Sequence, residues 1–126
     1  LVTGIGLAYL AFVSPEARLA TLKRLQRSQD PWDSNRRFSR NLETRLGVIR
    51  NQGYALADED YLDAIYHSRI WAIAVPVMVD TTVHACISAL VLRSKSSSRR
   101  ATSSLREPLR AAAAELGKLL VRESGA

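Results

Sequence analysis

The pattern of apolar and polar residues predicts two adjacent β-strands in the second half of the chain. The runs 70–77 (IWAIAVPV) and 83–92 (VHACISALVL) are rich in β-branched and aromatic residues and are too short for typical helices. Residues 79–82 form a tight connection between them. The sequence therefore predicts a strand pair here and helices elsewhere.

Apolar residues at helical spacing predict four helices around these strands. The first occupies the apolar run 1–13, and the second begins at Ser14 and Pro15 and ends near Arg27. The third spans about 41–52 and ends at Gly53, where a left-handed C-cap is expected. The last spans about 104–122 with Pro108 in its first turn. The remaining segments are interpreted as loops: 28–38, the carboxylate-rich segment 58–63 and the connector 93–100.

This order of elements, with a short strand at 54–56, predicts an α+β fold in which helices cover one face of a small antiparallel sheet. A length of 126 residues is sufficient for a single domain. Two or three strands make a narrow sheet for so many helices. We therefore expect further strands to come from residues preceding Leu1 in a longer parent chain, or from another copy of the chain.

Composition excludes several classes of protein. A content of 47% hydrophobic and 24% charged residues excludes disorder as the main interpretation. Cys86 is the only cysteine, which favours a reduced, cytoplasmic protein over a secreted one. The apolar run at the start is too short to span a bilayer and has no basic segment before it, so no membrane association is expected.

The net charge of +6 and the pI near 10.1 raise the question of an anionic partner. The basic residues form two groups that are not interleaved with aromatic side chains, as a single-strand binding platform would require. Solvated loops and helix faces are one interpretation, and a basic nucleic-acid-binding module is the alternative. The two groups are Arg36, Arg37 and Arg40, and Arg93, Lys95, Arg99 and Arg100.

Few residues of the sequence are candidates for catalysis or for binding a cofactor. His84 and Cys86 share a face of the second strand, but no third group orients them, so a structural cysteine is favoured over a thiol nucleophile. The segment 3–8 contains G-x-G without the third glycine or a preceding strand, which argues against dinucleotide binding. We expect no enzyme activity and no cofactor.

The acidic segment offers carboxylates and an imidazole that could bind a divalent ion. Their spacing fits neither an EF-hand nor a zinc motif, so a solvated loop is the expected structure and no metal site is predicted. These residues are Asp58, Glu59, Asp60, Asp63 and His67.

The two faces of the second strand differ in character. One face is uniformly apolar and includes Ile87 and Ala89, whereas the other combines Ser88 with Leu90 and Cys86. Apolar groups with a few hydroxyls are what a small-ligand pocket needs. A ligand pocket and a partly solvent-facing strand are equally consistent with this pattern.

Taken together, the segments resemble the effector-binding domain of IclR-type bacterial transcription regulators, and most closely those of activators of aromatic-acid catabolism. Their order and spacing carry the resemblance, which covers nearly the whole chain. The matching segments are TGIGLAYLAF (3–12) with SPE (14–16), VIRNQGYA (48–55), DED (58–60), AIAVPV (72–77), ACIS (85–88) and the final Ala-Leu helix.

The resemblance implies a GAF-like domain that binds a small organic acid and controls the assembly of a DNA-bound homo-oligomer, a dimer or a tetramer. The matching pocket positions are Asp60, Ala72, Ser88 and Leu90, and we add Gly6 for close backbone approach and Trp71, or Tyr9, for stacking. The family's winged helix-turn-helix and first strands would precede Leu1. Residues 1–126 are thus expected to be the C-terminal part of the effector-binding domain and to reach DNA only through that missing domain.

Overall fold

The computed structural model describes residues 1–34, 40–94 and 97–124. The described residues form an α+β domain, as predicted, and the predicted helices and strands are present with some differences in their ends. In chain order the elements are α1 (Gly4–Phe12), α2 (Pro15–Gln26), α3 (Pro31–Ser34), α4 (Leu42–Gln52), β1 (Ala55–Leu56), α5 (Glu59–Tyr66), β2 (Ile70–Val79), β3 (Thr82–Leu92) and α6 (Ser98–Ser124).

Local signals in the sequence fix the ends of the first helices. The Ser14 hydroxyl accepts a hydrogen bond from the Ala17 amide at 3.2 Å, and Pro15 occupies the first position of α2. Gly53 ends α4 with φ of 87°, a left-handed conformation that favours glycine. The predicted bounds of α2 and α4 are therefore confirmed to within two residues, whereas α1 begins three residues after its predicted start.

The three strands form one antiparallel sheet in the order β1-β2-β3. Asp80 and Thr81 connect β2 to β3, and Asp80 adopts a left-handed conformation with φ of 55° that short polar side chains tolerate. β1 pairs with β2 only through Ala55 and Leu56. Within the described ranges, the outer edge of β3 has no partner strand.

Helices cover both faces of this sheet, so the prediction of a single covered face is wrong. Ala74 of β2 is buried in one cluster with α1 and α4, whereas its neighbour Val75 is buried with Val77 and with Ala113 of α6. Because successive side chains in a strand point to opposite faces, α1 and α6 must lie on opposite sides of the sheet. We call these sides the α1 face and the α6 face.

The carboxylate-rich segment is a helix, not the predicted loop. Asp58 caps α5, and its carboxylate accepts hydrogen bonds from the amides of Asp60 at 2.9 Å and Tyr61 at 3.3 Å. Leu62 is buried at 2% exposure against Ala57 and Ile70, which supplies the apolar contact that holds this short helix to the sheet. Acidic residues in a first turn stabilise a helix start, so the carboxylates act as a start signal here.

The last helix begins earlier than predicted. α6 starts at Ser98, so Pro108 lies within the helix and not in its first turn. Ala101, in the added turns, is buried at 5% exposure, and Pro108 leaves one backbone hydrogen bond of the helix unmade. Arg99 and Arg100, predicted in a connector, therefore belong to a helix.

The predicted loop 28–38 contains the short helix α3. The Asp30 carboxylate accepts a hydrogen bond from the Trp32 amide at 2.9 Å, which starts this turn. Arg36, Arg37 and Lys95 lie outside the described residues, so the structure does not test their predicted place in exposed loops.

Candidate ligand-binding site

A cavity of about 360 Å³ lies on the α1 face, where the first turn of α1, the helix α5 and the strands β2 and β3 meet. We call it the α1–α5 cavity. Its wall is apolar except for four hydroxyl-bearing side chains and the backbone of the first turn of α1. The lining residues are Thr3, Gly4, Ile5, Ala57, Tyr61, Leu62, Tyr66, Ala72, Ser88 and Leu90.

The sheet supplies one wall through its period of two and its register. Ala72 is paired with Leu90, and Ala74 is paired with Ser88 two residues further along. Directly paired residues in antiparallel strands project from the same face, so Ala72, Ser88 and Leu90 form a contiguous wall. Ser88 places a hydroxyl at the centre of this wall.

The first turn of α1 lies close against the sheet because of Gly4. A Cβ atom built on Gly4 would lie 3.3 Å from the Cβ of Ala74, so a larger residue would push the helix away. The amide of Asp58 also donates a hydrogen bond of 2.8 Å to the carbonyl of Val2, which ties the start of α1 to the start of α5. The two helices that line the cavity are thereby fixed to each other.

The same first turn carries backbone amides without an acceptor inside the helix, and its residues Thr3, Gly4 and Ile5 line the cavity. The Thr3 hydroxyl accepts a hydrogen bond from the Gly6 amide at 3.0 Å, which caps α1. The amides of Gly4 and Ile5 have no acceptor inside the helix, because the first four N–H groups of any α-helix lack one. These amides, at the positive end of the helix dipole, are suited to a carboxylate oxygen.

Aromatic side chains of α5 form the opposite wall. The rings of Tyr61 and Tyr66 are in edge-to-face contact with centroids 6.3 Å apart, and Trp32 packs on Tyr61 at 5.4 Å. Burial, with smaller contributions from Tyr66 and from the carboxylate of Asp30, raises the pKa of the Tyr61 phenol. Tyr61 is therefore a neutral hydroxyl at ordinary pH and can donate a hydrogen bond.

The structure brings together three of the six predicted site residues, Ala72, Ser88 and Leu90. Trp71 points to the α6 face, where the guanidinium of Arg93 lies 3.9 Å from its ring centroid. Asp60 is exposed on α5, and Gly6 is the third residue of α1. Neither of them lines the cavity, and Tyr9 packs into the cluster with α4 instead.

Sequence reasoning missed the remaining lining residues, chiefly the two tyrosines. Tyr61 was hidden by the interpretation of α5 as a loop. Asp58 followed by two acidic residues and then Tyr61 and Leu62 was the available signal for a helix start. The strand period alone shows that Trp71 and Ala72 cannot both line one cavity, since adjacent residues in a strand face opposite sides of the sheet.

The structure also bears on two other hypotheses, a thiol nucleophile at Cys86 and a nucleic-acid-binding group of basic residues. Cys86 is half-buried opposite Pro76, and burial raises the pKa of its thiol, so little thiolate forms at neutral pH. Arg93 pairs with Asp63 at 3.4 Å, which removes it from the second basic group. Within the described ranges, no three His, Cys, Asp or Glu side chains are grouped so that they could hold a metal ion.

Among the residues that the structure describes, none of the helices combines the length and the apolar character needed to cross a bilayer.

Neither a family model nor a curated protein matches the sequence. Solved structures do match its fold. The repressor BlcR of Agobacterium tumefaciens superposes with a TM-score of 0.65 and 23% identity over 93% of this chain and 45% of its own. An IclR family transcriptional regulator from Brucella abortus superposes with a TM-score of 0.62 and 17% identity, over 94% of this chain and 43% of its own. A third match is the inducer-binding domain of PobR from Acinetobacter, a double mutant in complex with 3-hydroxybenzoic acid. It superposes with a TM-score of 0.64 and 23% identity, over 92% of this chain and 65% of its own.

These matches confirm the predicted resemblance at the level of the fold. The chain has the fold of the inducer-binding domains of IclR-type transcriptional regulators. It spans less than half of the length of BlcR and of the Brucella regulator.

Proposed function

We propose that this chain is the ligand-sensing part of an IclR-type transcription regulator and binds a small organic acid in the α1–α5 cavity. The observation that carries the proposal is the convergence of Ala72, Ser88 and Leu90 with the first turn of α1 around one cavity. Its fold, shared with a domain bound to 3-hydroxybenzoic acid, supports the same proposal. Aromatic acids are the first ligands to test.

The lining of the cavity favours an uncharged ring carrying one acidic group. Among the described residues that line it, none is Lys, Arg or His, so a carboxylate would be bound by the amides of Gly4 and Ile5 and by hydroxyls. The rings of Tyr61 and Tyr66 offer aromatic surface to a planar ligand. A volume of about 360 Å³ is at the lower end of small-ligand sites.

The proposed regulation acts through assembly. Leu90 lines the cavity, is 60% exposed and belongs to β3, whose outer edge is unpaired within the described residues. Ligand binding beside this edge would change the free energy of any strand or subunit that packs along it. Regulation requires unequal affinity of the ligand for two arrangements of the oligomer, and DNA contact would come from a separate domain of the parent protein.

Isothermal titration calorimetry with 3-hydroxybenzoate and a panel of aromatic and short-chain acids tests the proposal. At least one acid should bind, and Ala72→Leu should weaken that binding at least tenfold because the added side chain fills the cavity. Ala85→Leu is the matched control, since Ala85 is an exposed alanine on the other face of β3. Binding that is insensitive to Ala72→Leu, or equally sensitive to both variants, would place the ligand elsewhere.

A further inference from the structure

We infer a second, independent binding site for phosphorylated small molecules between α6 and β1, on the α6 face of the sheet. A cavity of about 540 Å³ lies there. Two guanidinium groups and several hydroxyls line it, and Tyr54 and Leu56 contribute apolar surface. We call it the α6–β1 cavity, and it shares no lining residue with the α1–α5 cavity.

The arginines of this cavity share one side of α6. Arg99 and Arg106 are seven residues apart, which is close to two turns, so their side chains project in the same direction. Thr102 and Ser103 lie between them and also line the cavity. The Thr102 hydroxyl donates to the carbonyl of Ser98 at 2.9 Å, so the donors left for the oxygens of a phosphate group are the guanidinium forks and the Ser103 hydroxyl.

The charges at the start of α6 have the sign that the helix dipole disfavours at this end. The first turn of α6 contains Arg99 and Arg100 and no acidic residue, although the positive end of a helix dipole favours the opposite charge. The helix segment 98–110 carries four arginines and a single acidic residue, Glu107. A bound dianion would relieve this repulsion, and conflicts between local preference and structure are expected at functional sites.

The neighbouring carboxylates do not neutralise the cavity. Glu107 lies 3.7 Å from Nε of Arg106 and 3.2 Å from Nη1 of Arg110, so one carboxylate is shared between two guanidinium groups. Glu59 lines the adjoining small hollow beside Leu56 and Ser98. In the part of the chain that the structure describes, Arg99 forms no ion pair with a carboxylate.

The other lining residues indicate what the phosphate is attached to. Tyr54 is half-buried against Val75 and Val77, so its ring is held in place at the base of the cavity. Leu56 is 38% exposed beside it. A sugar or another compact organic group would cover these side chains while its phosphate contacts the arginines.

Calorimetric titration of the 126-residue chain with ribose 5-phosphate at low ionic strength tests the inference, with inorganic phosphate and ribose as comparison ligands. Ribose 5-phosphate should bind more tightly than phosphate, and ribose should not bind. The double variant Arg99→Gln with Arg106→Gln should lower the affinity at least tenfold. Arg99→Lys with Arg106→Lys should retain part of it, because lysine keeps the charge and loses the planar fork.

The matched control is Arg24→Gln with Arg122→Gln, which removes the same charge from exposed helix positions away from the cavity. It should leave the affinity for ribose 5-phosphate unchanged, and circular dichroism should show both double variants folded. Equal losses in the two double variants would overturn the inference, as would an absence of binding by ribose 5-phosphate. Binding of a short DNA duplex with the same arginine dependence, without binding of ribose 5-phosphate, would also overturn it.

Discussion

The two faces of the sheet differ in how closely a helix covers them. On the α6 face, Gly117 lies so near the backbone of β2 that a Cβ atom there would be 2.6 Å from the carbonyl oxygen of Met78. On the α1 face, α1 begins beside Ala74 and leaves the strand ends near Ala72 and Leu90 uncovered. At Gly117, α6 thus contacts the backbone of β2 closely, whereas α1 leaves space for a ligand beside Ala72 and Leu90. The difference predicts that substitutions in these two regions will change different measured quantities.

The largest effect on stability is expected from the buried valines of the α6 face. Val75 is 1% exposed and Val77 is fully buried. Replacing both with alanine should lower the free energy of unfolding by about 2 kcal/mol per site, through lost burial of methyl groups and the cavities left behind. Urea denaturation measures this free energy of unfolding. The control is the double variant Val83→Ala with Val91→Ala, at two half-buried positions on β3, which should lower the free energy of unfolding by less than half as much. Equal losses would contradict the distinction between core and edge strand.

Gly117 tests the close helix contact directly. Gly117→Ala should destabilise the domain by about 1–3 kcal/mol, because the new Cβ atom meets a backbone oxygen that a rotamer change cannot move. Gly47→Ala is the matched control within a helix, since the nearest atom to a Cβ there is the flexible end of Arg50 at 3.8 Å. It should stabilise the protein by about 1 kcal/mol through helix propensity. Thermal melts of both variants give the comparison, and a stable Gly117→Ala variant would show that the contact is loose.

Substitution of Ser88 on the α1 face should change ligand affinity and leave stability nearly unchanged. Ser88→Ala should weaken binding of an aromatic acid by about tenfold through the loss of one hydrogen bond to a charged group. Its effect on the free energy of unfolding should be small because Ser88 is exposed. Ser104→Ala, an exposed serine of α6, serves as the control for calorimetry and melting. A large loss of stability with unchanged affinity would assign Ser88 a structural role.

The smallest effect concerns the pH dependence of stability through Tyr61. Its pKa in the folded state is raised above the ordinary value of 10.0, so the folded protein holds the phenolic proton more tightly than the unfolded chain. The resulting stabilisation is fully present below pH 10.0 and is lost as the pH rises through the folded-state pKa. Tyr61→Phe should therefore reduce the decline in stability above that pH, as measured by denaturation at a series of alkaline pH values. An unchanged decline would show that Tyr61 does not contribute.

The strands were predictable because their residues carry the signal locally. The β-branched runs, together with turn residues at Asp80 and Gly53, determine where β2, β3 and α4 begin or end. The period of two then placed Ser88 and Leu90 on one face, and their cross-strand partners follow from the hairpin register. These parts of the fold required no knowledge of distant contacts.

The features that were missed depend on tertiary contacts. The helix α6 begins ten residues before Pro108, and Ala101 in its first turn is buried against the rest of the domain. The placement of α6 on the opposite face from α1 depends on how the long last helix returns across the sheet, and no local pattern encodes that choice. Tyr66 reaches the cavity only because α5 is a helix docked through Leu62. Such residues become predictable only after the packing is known.

The proposal that the α1–α5 cavity binds a small organic acid can be tested by a ¹H–¹⁵N NMR titration with 3-hydroxybenzoate. The largest shifts are expected at the amides of Gly4, Ile5, Ser88 and Leu90, with those of Thr102 and Arg106 unchanged. Saturating shifts confined to α6, while the amides around the α1–α5 cavity stay fixed, would contradict it.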